Sequence, residues 1–163
     1  KSLTGGKLNK TAEIENYPGF ALIQGPELAA KIKALNLEKK AIENNLGVPG
    51  EKEFTNHGVA YCAICDGWLF RGQSVAVVGG GYSSLETSLY MSNIASRVYL
   101  IHRRANFRTE REIVEKVEKN PKITLIINSV IKEIHGQGKV EKIIIRNLLS
   151  EKENELLVSA VFP

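Results

Sequence analysis

The chain is poor in cysteine, with two in 163 residues. That is too few for the disulfide framework of a small secreted domain. Both fall in one C-x-x-C, which supplies only half of a tetrahedral zinc site, and His57, His102 and His135 are scattered without ligand spacing, so no metal is expected. No apolar run approaches the roughly 18 residues that a membrane helix needs. No signal-peptide pattern opens the chain, and no internal repeat or low-complexity tract interrupts it. The net charge is only +4, with basic residues interleaved with Glu, which argues against a general nucleic-acid surface. What these absences leave is an ordinary globular protein of 43% hydrophobic and 25% charged residues, expected in a reducing and hence cytoplasmic setting. Beginning at Lys1 rather than Met and ending on Val161-Phe162-Pro163, it reads as a piece of something longer.

What is present is concentrated between residues 62 and 108. Cys62-Ala63-Ile64-Cys65 places two sulfurs one helical turn apart, the spacing that lets them join reversibly, and neighbouring dipoles can lower one thiol's pKa. Asp66 reads as a proton donor to a departing thiolate, but Asp66-Gly67 is equally a turn dipeptide.

Residues 75–78 form a continuous apolar run, as expected of a parallel strand covered on both faces. Gly79-Gly80-Gly81 follows, then a helix whose start carries Tyr82, Ser83, Ser84 and Glu86. In this context the glycines read as a dinucleotide turn. Gly79 permits the tight bend and Gly81 keeps a Cβ away from the phosphates. The third motif position, usually Gly or Ala, is Ser84. Tyr82 is bulky beside a phosphate and must point away or stack. Ser83-x-x-Glu86 is a possible capping box, with Leu85, Leu89 and Ile94 facing the sheet.

A second strand over 98–101 ends in His102-Arg103-Arg104, with Phe107-Arg108 behind. An NAD site would carry an acid there for the ribose 2′-OH; guanidinium groups instead suit a 2′-phosphate. NADPH is therefore expected over NADH.

Thr109-x-x-Glu112 is another possible capping box, opening a helix through Ile113, Val114 and Val117 that ends near Asn120-Pro121. A third strand follows over 123–127, then strands over 130–134, 140–146 and 156–161, the first pair joined by Gly136-Gln137-Gly138. Upstream, Gly25-Pro26-Glu27 opens a helix reaching about Leu37, with Leu28, Ile32 and Leu35 as its buried stripe. Gly47-Val48-Pro49-Gly50 is the clearest break, and a domain boundary is placed near residue 46. The pattern is α/β: a Rossmann-like domain with an added β-meander.

With dithiol and clamp together, the chain resembles the low-molecular-weight thioredoxin reductases. The resemblance lies in Tyr61-Cys62-Ala63-Ile64-Cys65-Asp66-Gly67, Gly79-Gly80-Gly81 with Glu86, Ser92-Asn93-Ile94-Ala95-Ser96, and His102-Arg103-Arg104 with Phe107-Arg108. At the front, Gly5-Gly6-Lys7-Leu8 and Glu15-Asn16-Tyr17-Pro18-Gly19 look like the family's flavin-facing segment. The resemblance implies that Gly6, Leu8 and Asn16 approach FAD, and that FAD relays electrons from NADPH to a Cys62–Cys65 disulfide and on to thioredoxin. It gives Cys65 the flavin side, Asp66 the acid/base role and Cys62 the attack on thioredoxin. It further implies a homodimer and a rotating NADPH domain. Residues 1–45 would be a partial, internally incomplete FAD-binding α/β domain, and 46–163 the NADPH-binding domain carrying the C-x-x-C. The family's N-terminal FAD glycine motif and its Ala-Thr-Gly element are missing. Lys40-Ala41-Ile42-Glu43-Asn44 looks like two ends abutted, and these residues alone would lack a complete FAD pocket. Other readings are the flavoprotein subunit of an alkyl hydroperoxide reductase system and a non-catalytic NADPH-binding or interaction domain.

Overall fold

In the computed structural model, residues 45–163 are described, and they fall within one compact unit. The helix expected over 27–37, and Gly6, Leu8 and Asn16, lie outside the described residues.

The short helix α1 is Ala63–Asp66, continued by a 3-10 turn over Gly67–Phe70. Strand β1 is Ser74–Val78, helix α2 Tyr82–Ser92, and strand β2 Arg97–Ile101. Helix α3 is Arg111–Glu118 and strand β3 Ile123–Ile126. Strands β4 (Ser129–His135), β5 (Lys142–Asn147), β6 (Glu153–Leu157) and β7 (Ala160–Phe162) complete the chain. A parallel sheet runs in the order β3-β2-β1-β7, and β4-β5-β6 form a separate antiparallel sheet. The fold is therefore α/β with an added meander, as the sequence pattern predicts.

The period-2 alternation of strand side chains sorts the core into two layers. Val75, Val77, Val98 and Leu100 join Leu85, Met91, Ile113 and Val117 from the helices. Ala76 and Ile101 turn the other way, towards Ile131, Ile143 and Ile145 of the meander. Covering on both faces explains why β1 and β2 read as unbroken apolar runs rather than alternating ones.

Three expectations are corrected. Neither capping box forms. Helix α2 starts at Tyr82 with Gly81 at its N-cap, so Ser83 already lies inside the first turn. Helix α3 starts at Arg111 behind Glu110, and the Glu112 carboxylate accepts from Lys116 Nζ at 2.7 Å instead. Ile94 packs against the core from beyond the end of α2, whose own buried positions are Leu85, Ser88, Met91 and Ser92. The single strand expected over 156–161 is two strands in different sheets. Val158 N–H donates to Glu141 O and Ser159 N–H to Ser74 O, which hands the chain from the meander to the edge of β1.

Candidate functional site

Cys62 and Cys65 are joined in a disulfide with Cα atoms 5.3 Å apart, within the range that needs no backbone rearrangement. Cys62 is the N-cap of α1, and Cys65 N–H lies 3.3 Å from its sulfur. Cys65 is exposed, whereas Cys62 and Asp66 are half-buried. Asp66 stands at the start of the 3-10 turn and makes no side-chain capping bond there. Gly67 is buried because a Cβ there would sit 2.6 Å from Met91 Sδ, so the turn packs directly onto α2. Ile64, Trp68 and Leu69 are exposed, giving the disulfide an apolar border.

The three glycines after β1 do different work. Gly79 has φ 144°, a conformation that disfavours side chains, and its Cβ would lie 2.8 Å from the Ser84 side chain. Ser84 thus packs where the motif's third small residue is needed. A Cβ on Gly80 would strike the His102 ring, a constraint that motif spacing alone does not reveal. Gly81 faces open space, and no side chain caps α2. The first-turn N–H groups of that helix are therefore left for an anion, at the end where the helix dipole favours one.

Beyond β2, the exposed Arg103, Arg104 and Arg108 follow the buried His102. Arg108 N–H donates to Gly80 O at 3.0 Å, which closes the basic loop onto the glycine turn. Among the described residues no carboxylate pairs with any of these three guanidinium groups.

Turn and loop share one cavity of about 750 Å³. Of the residues expected at a nucleotide, Gly79, Gly81, Ser83, Ser84, His102, Arg103, Arg104 and Arg108 line it. Tyr82 and Glu86 do not. The Tyr82 hydroxyl hydrogen-bonds to Glu86, and this bond, with the carboxylate's charge, holds the phenol above its ordinary pKa. Tyr82 is therefore engaged with Glu86 and does not line the cavity. Ala63 and Tyr61, either side of Cys62, also border the cavity, so the disulfide segment stands at its rim.

Sequence reasoning missed Gly80, Thr87 and residues 129–131 as cavity walls. The rule that ligands sit at the carboxyl ends of parallel strands could have found residues 129–131, which follow β3. Among the described residues no cluster of His, Cys, Asp or Glu could hold a metal ion, and no helix is long and apolar enough to cross a membrane.

Residues 41–162 match the protein family described as pyridine nucleotide-disulphide oxidoreductase. The chain is 34% identical to the thioredoxin reductase of Mycoplasma genitalium, over 98% of this chain and 62% of that protein. It is 36% identical to that of Spironucleus barkhanus, over 98% of this chain and 65% of that one. Its structure is similar to that of Lactococcus lactis thioredoxin reductase, with TM-score 0.70 at 33% identity, over 97% of this chain and 65% of the other. The chain thus spans less than two thirds of the length of these relatives. The first alignment runs over 197 positions, at least 34 more than the 163 residues here, so that relative carries internal residues with no counterpart in this chain.

Proposed function

Because the chain belongs to the pyridine nucleotide-disulphide oxidoreductase family, we propose that it serves as the nucleotide- and disulfide-bearing part of an NADPH-dependent thioredoxin reductase. One observation carries the reading: the C-x-x-C is a closed disulfide beside a cavity that joins an uncapped helix N-terminus to three arginines with no carboxylate partner among the described residues.

The first-turn N–H groups of α2 hold the pyrophosphate, and Gly81 leaves room for it. Arg103, Arg104 and Arg108 hold the 2′-phosphate by charge-assisted bonds. A bound FAD supplies the two-electron relay between nucleotide and sulfur. Its contacts at Gly6, Leu8 and Asn16 rest on the sequence resemblance alone. Cys65 would be the sulfur on the flavin side, and two electrons and two protons would open the Cys62–Cys65 bond to a dithiol. Asp66 exchanges the proton at Cys65. The Cys62 thiolate attacks the thioredoxin disulfide, and Cys65 then displaces reduced thioredoxin from the mixed disulfide, restoring the Cys62–Cys65 bond. The division at residue 46 into FAD-binding and NADPH-binding parts, a cytoplasmic setting and a homodimer belong to the same proposal.

The test is NADPH oxidation coupled to thioredoxin, with the full-length protein and its Cys62→Ser variant. A thioredoxin-dependent rate abolished by Cys62→Ser is expected. Nucleotide binding without cycling of the thiols would instead make this a non-catalytic nucleotide domain.

A further inference from the structure

His102 opens the basic run yet is only 7% exposed. Its backbone N–H donates to Ile126 O at 2.9 Å, and its C=O accepts from Ser129 N–H at 3.0 Å. The residue is thereby fixed between the end of β3 and the start of β4. Its ring then makes three further contacts. Nε2 lies 3.1 Å from Asn106 O; a carbonyl can only accept, so that nitrogen carries the proton. The ring stacks on Phe107 with centroids 5.3 Å apart and planes inclined by 16°. It also fills the space that a Cβ on Gly80 would need. Both ends of the arginine loop and the glycine turn thus meet on one imidazole.

We propose that His102 is a positioning residue for the 2′-phosphate, acting through Asn106 and Phe107 without touching the anion. It holds the 103–108 loop at a fixed height over Gly80, so that Arg103, Arg104 and Arg108 converge on one point. Three exposed guanidinium groups, none paired with a carboxylate among the described residues, would otherwise be ordered only at the moment of binding, at a cost in side-chain entropy. The proton on Nε2 is already committed to Asn106, which leaves the ring a strut and not a ligand. The inference rests on the nucleotide reading above.

The experiment is calorimetric titration of the full-length protein with adenosine 2′,5′-bisphosphate and with adenosine 5′-monophosphate, which need no flavin chemistry. The variants are His102→Ala, His102→Gln, Arg108→Ala and the double variant His102→Ala/Arg108→Ala. Loss of a properly aimed charged contact should weaken bisphosphate binding to His102→Ala about tenfold or more, with the monophosphate changed less than about twofold. His102→Gln, whose amide can still donate to Asn106 O, should recover part of the loss and keeps the test open if His102→Ala does not fold. The double variant should bind the bisphosphate no more weakly than the worse single one, because His102→Ala already loses the contact that Arg108 makes. In turnover, KM for NADPH should rise while kcat at saturation stays put. Additive losses in the double variant, equal losses for both ligands, or no rescue by Gln would overturn the positioning role. If the wild-type protein does not prefer the bisphosphate at all, the arginine clamp itself fails, an outcome distinct from these.

Discussion

A methyl group added at Gly81 meets no protein atom within 4 Å, whereas at Gly79 it would press on Ser84 and at Gly80 on the His102 ring. The backbone at Gly81 has φ −98° and ψ 176°, open to any residue. Gly81→Ala is therefore the substitution that separates binding from folding. Two small effects on stability oppose one another. Alanine narrows the unfolded ensemble, which stabilises by about 0.4–1 kcal/mol, but it is a poorer N-cap than glycine by a similar amount, up to ~1 kcal/mol. The net is within about 0.5 kcal/mol, or roughly 2 °C in Tm for a chain of this size. At the proposed nucleotide site the same methyl group takes the space the pyrophosphate would need to reach the α2 N–H groups. Losing hydrogen bonds to a charged group costs about 1.5–3 kcal/mol, hence roughly ten- to a hundredfold in affinity. NADPH and NADH share the pyrophosphate, so both should weaken by the same factor. Thermal unfolding and nucleotide titration on the full-length protein measure the two arms. Unchanged nucleotide affinity would refute the assignment of the phosphate site, and a Tm loss beyond about 5 °C would refute the claim that Gly81 is free of packing demands.

Two further predictions concern side chains round the site. Glu51 is buried, and its carboxylate accepts from Leu46 N–H at 2.8 Å and Gly47 N–H at 2.7 Å, with the Tyr61 hydroxyl 3.1 Å away. Glu51→Ala strands the Leu46 and Gly47 N–H groups and should cost about 2–4 kcal/mol by denaturant unfolding, with those two amides exchanging first; unaltered protection of those amides would contradict it. Tyr82 should ionise above the ordinary tyrosine range because its hydroxyl bonds to Glu86 and the carboxylate's charge then opposes the phenolate. Since the folded pKa is raised, the contribution is present below the ordinary tyrosine pKa and lost as pH rises through the folded one. Glu86→Gln should bring the midpoint down in a titration followed by NMR of the tyrosine rings, and an unmoved midpoint would sink the pairing.

Strands β1, β2 and β3 were legible because each is a short apolar run, and the glycine turn was legible because it stands between such a run and a helix. The helix starts were not, because both rested on a local spacing that other contacts overrule. Gly81 O accepts from Leu85 N–H at 3.3 Å, so the turn itself dictates where α2 begins. Ser84 Oγ, within the expected box, donates back to Gly81 O at 2.8 Å. The break between β6 and β7 was hidden for another reason. Leu156, Leu157, Val158, Ala160 and Val161 look like one apolar stretch, and what divides them is pairing with distant partners: Leu157 opposite Lys142, Ala160 beside Val75. Val59, buried and bridged to Val161, escaped notice because a lone apolar residue has no period to read. Arg103, Arg104 and Arg108, named from residue type and position, do line the cavity. The burial of His102 was not legible, since nothing in the order of residues says that Gly80 lacks a side chain to make room for an imidazole.

The placement of β7 has a consequence for how the molecule is made. Val75 pairs with Ala160 and Val77 with Phe162, so one flank of the strand leading into the glycine turn is supplied by residues from the other end of the domain. On the ribosome, β1 emerges early and must wait, with an apolar hydrogen-bonding edge uncovered, until residue 162 has cleared the exit tunnel. Pairings this distant along the chain are slow to form, and an open edge of this kind is where nascent chains stick to one another.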